Sequence, residues 1–151
     1  RYAPMAGNIF SLKFILVDDK EKIQKIAEAS QQNFISQASY VLVVCSIPSI
    51  TVNAYGKRGE KYLNQQAGAG IQNFLLKIQE FGLATTLVGA FVDSQVKEIL
   101  NIPEDVNVEA IFPIGYEYDK PKPKKRIDLD NILYFNEYQN KKMKPVKKLD
   151  V

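Results

Sequence analysis

Three groups of residues in this 151-residue chain have types and spacing suited to chemistry. The first is basic. Lys120, Lys122, Lys124, Lys125, Arg126, Lys141, Lys142, Lys144, Lys147 and Lys148 supply ten of the twenty basic residues, all within the last 32 positions. Such a cluster suits a phosphate site, a nucleic-acid contact or a solvated tail. No aromatic residue is interleaved between Lys120 and Arg126, which argues against base stacking and so against a nucleic-acid partner. The second group is the run Ala67-Gly68-Ala69-Gly70 inside a helical pattern. Glycine in a helix interior costs roughly 1 kcal/mol relative to alanine, so a partner helix or a flat ligand is expected against that backbone. The third is the turn Val88-Gly89-Ala90-Phe91, which follows a short apolar run.

What the chain lacks narrows the chemistry further. It has no histidine, which removes Ser-His-Asp and Cys-His catalysis, His-ligated zinc and imidazole proton shuttling. One cysteine, Cys45, can form neither an internal disulfide nor a thiolate metal cluster, so no metal site is expected. If the chain is an enzyme, a cofactor is expected to carry the chemistry.

The elements that must position these groups follow from hydrophobic spacing. Leu63, Ala67, Ile71, Phe74, Leu75, Ile78 and Phe81 recur at steps of three and four, one face of an amphipathic helix from about Gly59 to Phe81. Gly82 supplies the left-handed residue that stops it. Before it, Ser11–Val17 is a strand candidate, and Asp18-Asp19 cap a helix to about Ser30 with Ile23, Ile26 and Ala27 inward. Gln31–Ser39 reads as a second helical piece. Tyr40–Cys45, apolar on both faces, is a central strand covered on both sides, with Cys45 an inert core thiol. Ile47–Lys57, with Pro48, Asn53 and Gly56, reads as a loop. After the long helix come a strand over Leu83–Val88 and a helix over Gln95–Leu100 capped by Asp93 or Ser94. A strand over Val106–Tyr116 follows, in which Pro113 implies an edge position or a late bulge. Asp119–Arg126 is extended, Leu129–Phe135 is a short ordered piece, and Asn136–Val151 is too polar for a core of its own. Interleaved strands and helices give a three-layer α/β or α+β sandwich. With 46% apolar and 25% charged residues, no membrane-length apolar run and no signal peptide, a cytoplasmic protein is expected.

Four motifs, in order, carry a resemblance over essentially the whole chain. Ala3-Pro4-Met5-Ala6-Gly7-Asn8 is similar to the A-P-S-x-x-N segment of the FMN-dependent nitroreductase family. Gln66–Leu76 resembles its small-residue helix ending in Q-N-L-L-L. Gly82–Phe91 resembles its G-L-G-T-x-W-x-G-x-F turn. Ile114-Gly115-Tyr116 with Pro121–Arg126 resembles its I-G-Y…P-K-P-x-x-R ending.

The resemblance implies an α+β three-layer sandwich with a mixed or antiparallel central sheet, and an entwined homodimer with FMN at the interface. It also implies NADH or NADPH as electron donor, and ping-pong reduction of nitroaromatics, quinones or related small-molecule acceptors. It assigns Pro4, Met5, Ala6 and Asn8 to the segment approaching the flavin ring, typically from the partner subunit. Leu87, Val88, Gly89 and Ala90 fall in the turn packing on the ring, with the Gly89 backbone N–H toward flavin N5. Lys124 and Arg126 match the phosphate-holding positions. Residues 1–135 form the family-like domain, and 136–151 a basic extension that wraps the partner, with Leu133–Tyr138 aiding dimerisation. The family's opening Arg-x-Ser-x-Arg segment has no counterpart, Met5 replaces a serine, and Leu87 a tryptophan. Two readings therefore stand: a flavin oxidoreductase, or a non-catalytic dimer of the same fold with weakened or lost flavin binding.

Overall fold

Two runs rich in aliphatic residues form the first pair of strands in the sheet. They are the central strand β2 (Tyr40–Ser46) and the edge strand β1 (Leu12–Val17) beside it, paired antiparallel in the register Leu12↔Ser46 to Val17↔Val41. The computed structural model describes residues 1–119, 122 and 124–143. Their contacts divide the chain into two units, Arg1–Tyr118 and Asp119–Val151.

In the first unit, β4 (Asn107–Gly115) flanks β2 on its other side and the short β3 (Ala84–Thr85) flanks β4. The sheet order is β1-β2-β4-β3, antiparallel at each step. β2 is buried along all but its first residue, as its unbroken apolar sequence predicts. Its odd-numbered residues Val41, Val43 and Cys45 join one core with Ile23, Ile26 and Val96, and Leu42 and Val44 join a second with Ile78 and Phe112. α1 (Lys20–Ala29) and α4 (Asp93–Leu100) cover the first face, and α3 (Arg58–Glu80) covers the second. This is the three-layer α+β sandwich expected from the sequence.

Local chemistry explains most boundaries. The Asp19 carboxylate accepts from the Glu21 and Lys22 backbone N–H groups and starts α1. The α3 helix ends at Phe81, with Gly82 at φ 68 closing it as a left-handed stop. Phe81 is 65% exposed rather than inward, and lies under the Lys77 ammonium at 4.7 Å.

Several expectations are corrected. Residues Pro48–Tyr55 form a helix, α2, not a loop. Proline is acceptable in a first helical turn because its missing N–H has no partner there anyway. The cap of α4 is the backbone of Val92, and no side chain bonds to its N-terminus, so neither Asp93 nor Ser94 has the expected role. Asp93 instead meets Lys97 at 3.1 Å, and this contact outweighs desolvation to raise the pKa of that buried ammonium. β4 is not an edge strand, and the register irregularity falls at Glu109, early in β4 opposite Val44 and Cys45 of β2, not late in it. Pro113 is tolerated because Ile111, two residues before it, exchanges both backbone bonds with Val88. By strand alternation the Pro113 nitrogen faces that same side, where Thr86 and Leu87 have left the ladder. The strand expected over Leu83–Val88 is consequently broken after Thr85.

The second unit holds α5 (Leu129–Ile132), capped by Asp128, and a turn in which Phe135 donates to the Asn140 carbonyl. Lys141 donates to the Asp130 and Leu133 carbonyls and lies 4.0 Å from the Tyr134 ring centroid. Lys120, Pro121, Pro123 and Lys144–Val151, which include part of the proline-lysine run and half of the expected C-terminal extension, lie outside the described residues. Among the described residues, no helix is long and apolar enough to cross a membrane.

Candidate functional site

The turn at residues 86–91 is held by one residue. Val88 donates to the Ile111 carbonyl at 2.9 Å and accepts from its N–H at 3.0 Å, and its side chain is buried in the first core. Thr86, Leu87, Gly89 and Ala90 are therefore presented outward, with Leu87 52% exposed. No acceptor among the described residues takes the Gly89 N–H. A Cβ placed on Gly89 would meet only Leu87 Cδ2, at an ordinary 3.7 Å. The folded chain thus makes no demand for glycine at 89. The space and the free donor are available to something outside the described chain.

The segment Pro4–Asn8 forms a second wall. Gly7 and Asn8 both adopt positive φ, 56 and 57, folding the segment into a tight turn that puts Gly7 beneath the Tyr55 hydroxyl. Any side chain at Gly7 would collide with that hydroxyl. Pro4, Met5, Ala6 and Gly7 face Tyr55 of α2 and Tyr62, Gln65 and Gln66 of α3 across a hollow of about 480 Å³. Asn8 is exposed at the end of the turn and does not line it. Among the described residues, the lining of the Pro4–Gly7 hollow includes none of the Leu87–Ala90 turn.

Beneath the hollow lie buried polar atoms. Ser11 Oγ donates to Gln66 Oε1 at 3.4 Å, while Gln66 Nε2 and Thr51 Oγ1 are buried with no partner among the described residues. Gln66 is only 3% exposed. Tyr55, Tyr62, Gln65 and Gln66 were not singled out from sequence as a group. A signal was present: Gly59, Leu63, Gln66 and Gly70 are all buried at helical spacing on α3, so Gln66 is a polar residue at a core position.

The remaining candidates divide by unit. Lys124 and Arg126 lie exposed in the second unit, on irregular backbone before α5. Gly70 lies close to the sheet of its own chain: an added Cβ would sit 2.9 Å from Leu12 Cδ1 of β1, whose side-chain end would have to shift. Nothing lies within 4 Å of the equivalent position on Gly68. Cys45 is buried, and burial, reinforced by Glu109 and Asp93 and opposed by Lys97, pushes its thiol up to about 11. That is the inert thiol expected from the strand, and it is no nucleophile at neutral pH.

Comparison with known proteins matches residues 29–116 to the sequence model of the nitroreductase family. A Methanocaldococcus jannaschii protein described as a nitroreductase is 35% identical over 89 residues, 59% of this chain and 45% of its own length. The NADPH-flavin oxidoreductase of Vibrio harveyi is 26% identical over 148 residues, 92% of this chain and 62% of that protein. The solved structure of the V. harveyi NADPH:FMN oxidoreductase complexed with NAD+ superposes with a TM-score of 0.78 at 23% identity, over 92% of this chain and 64% of that one. The chain therefore spans between about half and two thirds of the length of these relatives.

Proposed function

Because the chain belongs to the nitroreductase family, with over half its length matched, we propose that it acts as an FMN-dependent NAD(P)H oxidoreductase. Its acceptors are nitroaromatics, quinones or related small molecules, reduced in alternating ping-pong turns. The observation that carries this reading is the Val88–Ala90 turn: an anchored loop with a free Gly89 N–H and clear space above it. A single outward N–H of this kind suits a cofactor that presents a hydrogen-bond acceptor. FMN, when bound, supplies hydride acceptance and two-electron transfer to the acceptor. The chain's own residues do the rest. Gly89 N–H would be the donor offered to a flavin, placed to stabilise negative charge on it. Leu87 and Ala90 offer apolar surface to the ring. By the resemblance alone, Lys124 and Arg126 of the second unit are assigned to an FMN phosphate through charge-assisted bonds.

A homodimer in which Pro4, Met5, Ala6 and Asn8 serve the partner's flavin belongs to the same reading. Its support is that, among the described residues, the turn does not line the Pro4–Gly7 hollow of its own chain, together with exposed apolar residues Phe14, Leu16 and Leu76 on the α3 side of the first unit.

The test is NAD(P)H oxidation with menadione or nitrofurazone in the presence of excess FMN. Activity, and at least a tenfold weaker FMN affinity in the double variant Lys124→Ala/Arg126→Ala, are expected. No oxidation at saturating FMN would leave a non-catalytic dimer of the same fold.

A further inference from the structure

Three cations gather where α2 meets α3, and the fold makes no use of them. Lys57, Arg58 and Lys61 are exposed and form no ion pair among the described residues. Cations are least favourable at that end of a helix, where the macrodipole is positive, and Lys57 and Lys61 are like charges one turn apart. Helix stability therefore does not account for them. The backbone that carries them is fixed. The Gly59 N–H donates to the Gly56 carbonyl at 2.8 Å, and any side chain at Gly59 would meet the Thr51 carbonyl oxygen of α2.

Helical spacing then says where the charges lie. Arg58, Lys61, Tyr62 and Gln65 stand at i, i+3, i+4 and i+7, one stripe of α3. Tyr62 and Gln65 line the hollow opposite Pro4–Gly7. The basic pair continues that wall outward, with Arg58 about 10 Å from Gln65 along the axis. Glu60 falls about 200° around the helix from Arg58 and so turns away from the stripe.

We propose that Arg58 and Lys61, flanked by Lys57, recognise the 2′-phosphate of the nicotinamide dinucleotide donor and so select NADPH over NADH. A donor whose nicotinamide reaches a flavin at the Pro4–Ala6 segment lays its adenosine end outward along α3. There the two cations meet the phosphate through charge-assisted bonds. NADH brings no charge to that place. The naming of the donor rests on the flavin reading above. The recognition of a phosphate monoester by this stripe does not. FMN carries such a phosphate too, and the experiment separates the two sources.

The protein, incubated with excess FMN, is titrated with NADP+ and with NAD+, which differ only in the 2′-phosphate. Calorimetry reads affinity, and nitrogen-15 NMR follows the Arg58 side-chain Nε–H. NADP+ is expected to bind about tenfold more tightly, with an advantage that shrinks as salt rises, and to be the one that shifts the Arg58 signal. Arg58→Gln/Lys61→Gln is expected to bring NADP+ down to the affinity of NAD+ and to leave FMN affinity unchanged. Lys22→Gln/Lys25→Gln, a pair equally exposed on α1, is expected to keep the preference. Equal wild-type affinities, an unmoved Arg58 signal, or a preference that survives Arg58→Gln/Lys61→Gln would overturn the proposal. So would a preference lost in Lys22→Gln/Lys25→Gln, which would make the effect one of diffuse charge. Weaker FMN binding in the Arg58/Lys61 variant overturns the donor assignment by giving the stripe to the flavin phosphate. A preference for NADP+ in protein that binds no FMN supports the stripe and sinks the flavin reading alone.

Discussion

Gly89 separates folding from function more cleanly than any other residue of the turn. Its environment within the chain leaves room for a methyl group, with a nearest contact of 3.7 Å. Gly89→Ala is therefore expected to fold and melt as the wild type does, and to bind FMN at least about tenfold more weakly, roughly 1.4 kcal/mol. Thermal melting and a flavin titration on the same sample check both halves. At Cys45 the expectation is one of pH. Its folded-state pKa is raised from 9.0 to about 11, so between those values the unfolded chain loses a proton that the folded chain keeps. Stability contributed by the neutral thiol is complete below about pH 9 and falls as pH rises toward 11. Chemical denaturation at pH 8 and pH 10.5 is expected to show a smaller loss for Cys45→Val than for the wild type. The pairing of Gln66 with a hollow was not legible at this scale, because the partners across it come from a turn some sixty residues earlier in the chain.

Among the elements, the long helix shows how one sequence signal can have two causes. Gly68 and Gly70 read alike in the sequence. In the fold Gly70 lies close to Leu12 of β1, whereas Gly68 is exposed with nothing within 4 Å. The dimer reading assigns Gly68 to contact with a second copy. Gly68→Leu should then raise intrinsic helix stability yet weaken self-association, a shift that sedimentation velocity would show. Unchanged sedimentation would remove Gly68 from any interface. Helices α1 and α3 and strand β2 were readable because their apolar period, caps and stops agree with one another. The α2 helix was not, since Pro48 and Gly56 are turn-formers by type and boundary residues by position. Nor was the break in β3, which depends on which side of β4 the Pro113 nitrogen faces.

For the whole molecule, the three-layer order was legible from alternating strands and helices, and the family from four motifs in order. What the residues could not specify is which walls meet. The Pro4–Gly7 and Leu87–Ala90 segments lie in one motif series, yet among the described residues the hollow at Pro4–Gly7 is not lined by the turn. The central claim is that this chain is a flavoprotein, and the visible spectrum after incubation with FMN and gel filtration tests it most directly. The account predicts flavin absorbance eluting with the protein and bleaching on addition of NAD(P)H. A colourless protein peak, with all FMN recovered in the small-molecule fraction, would contradict it.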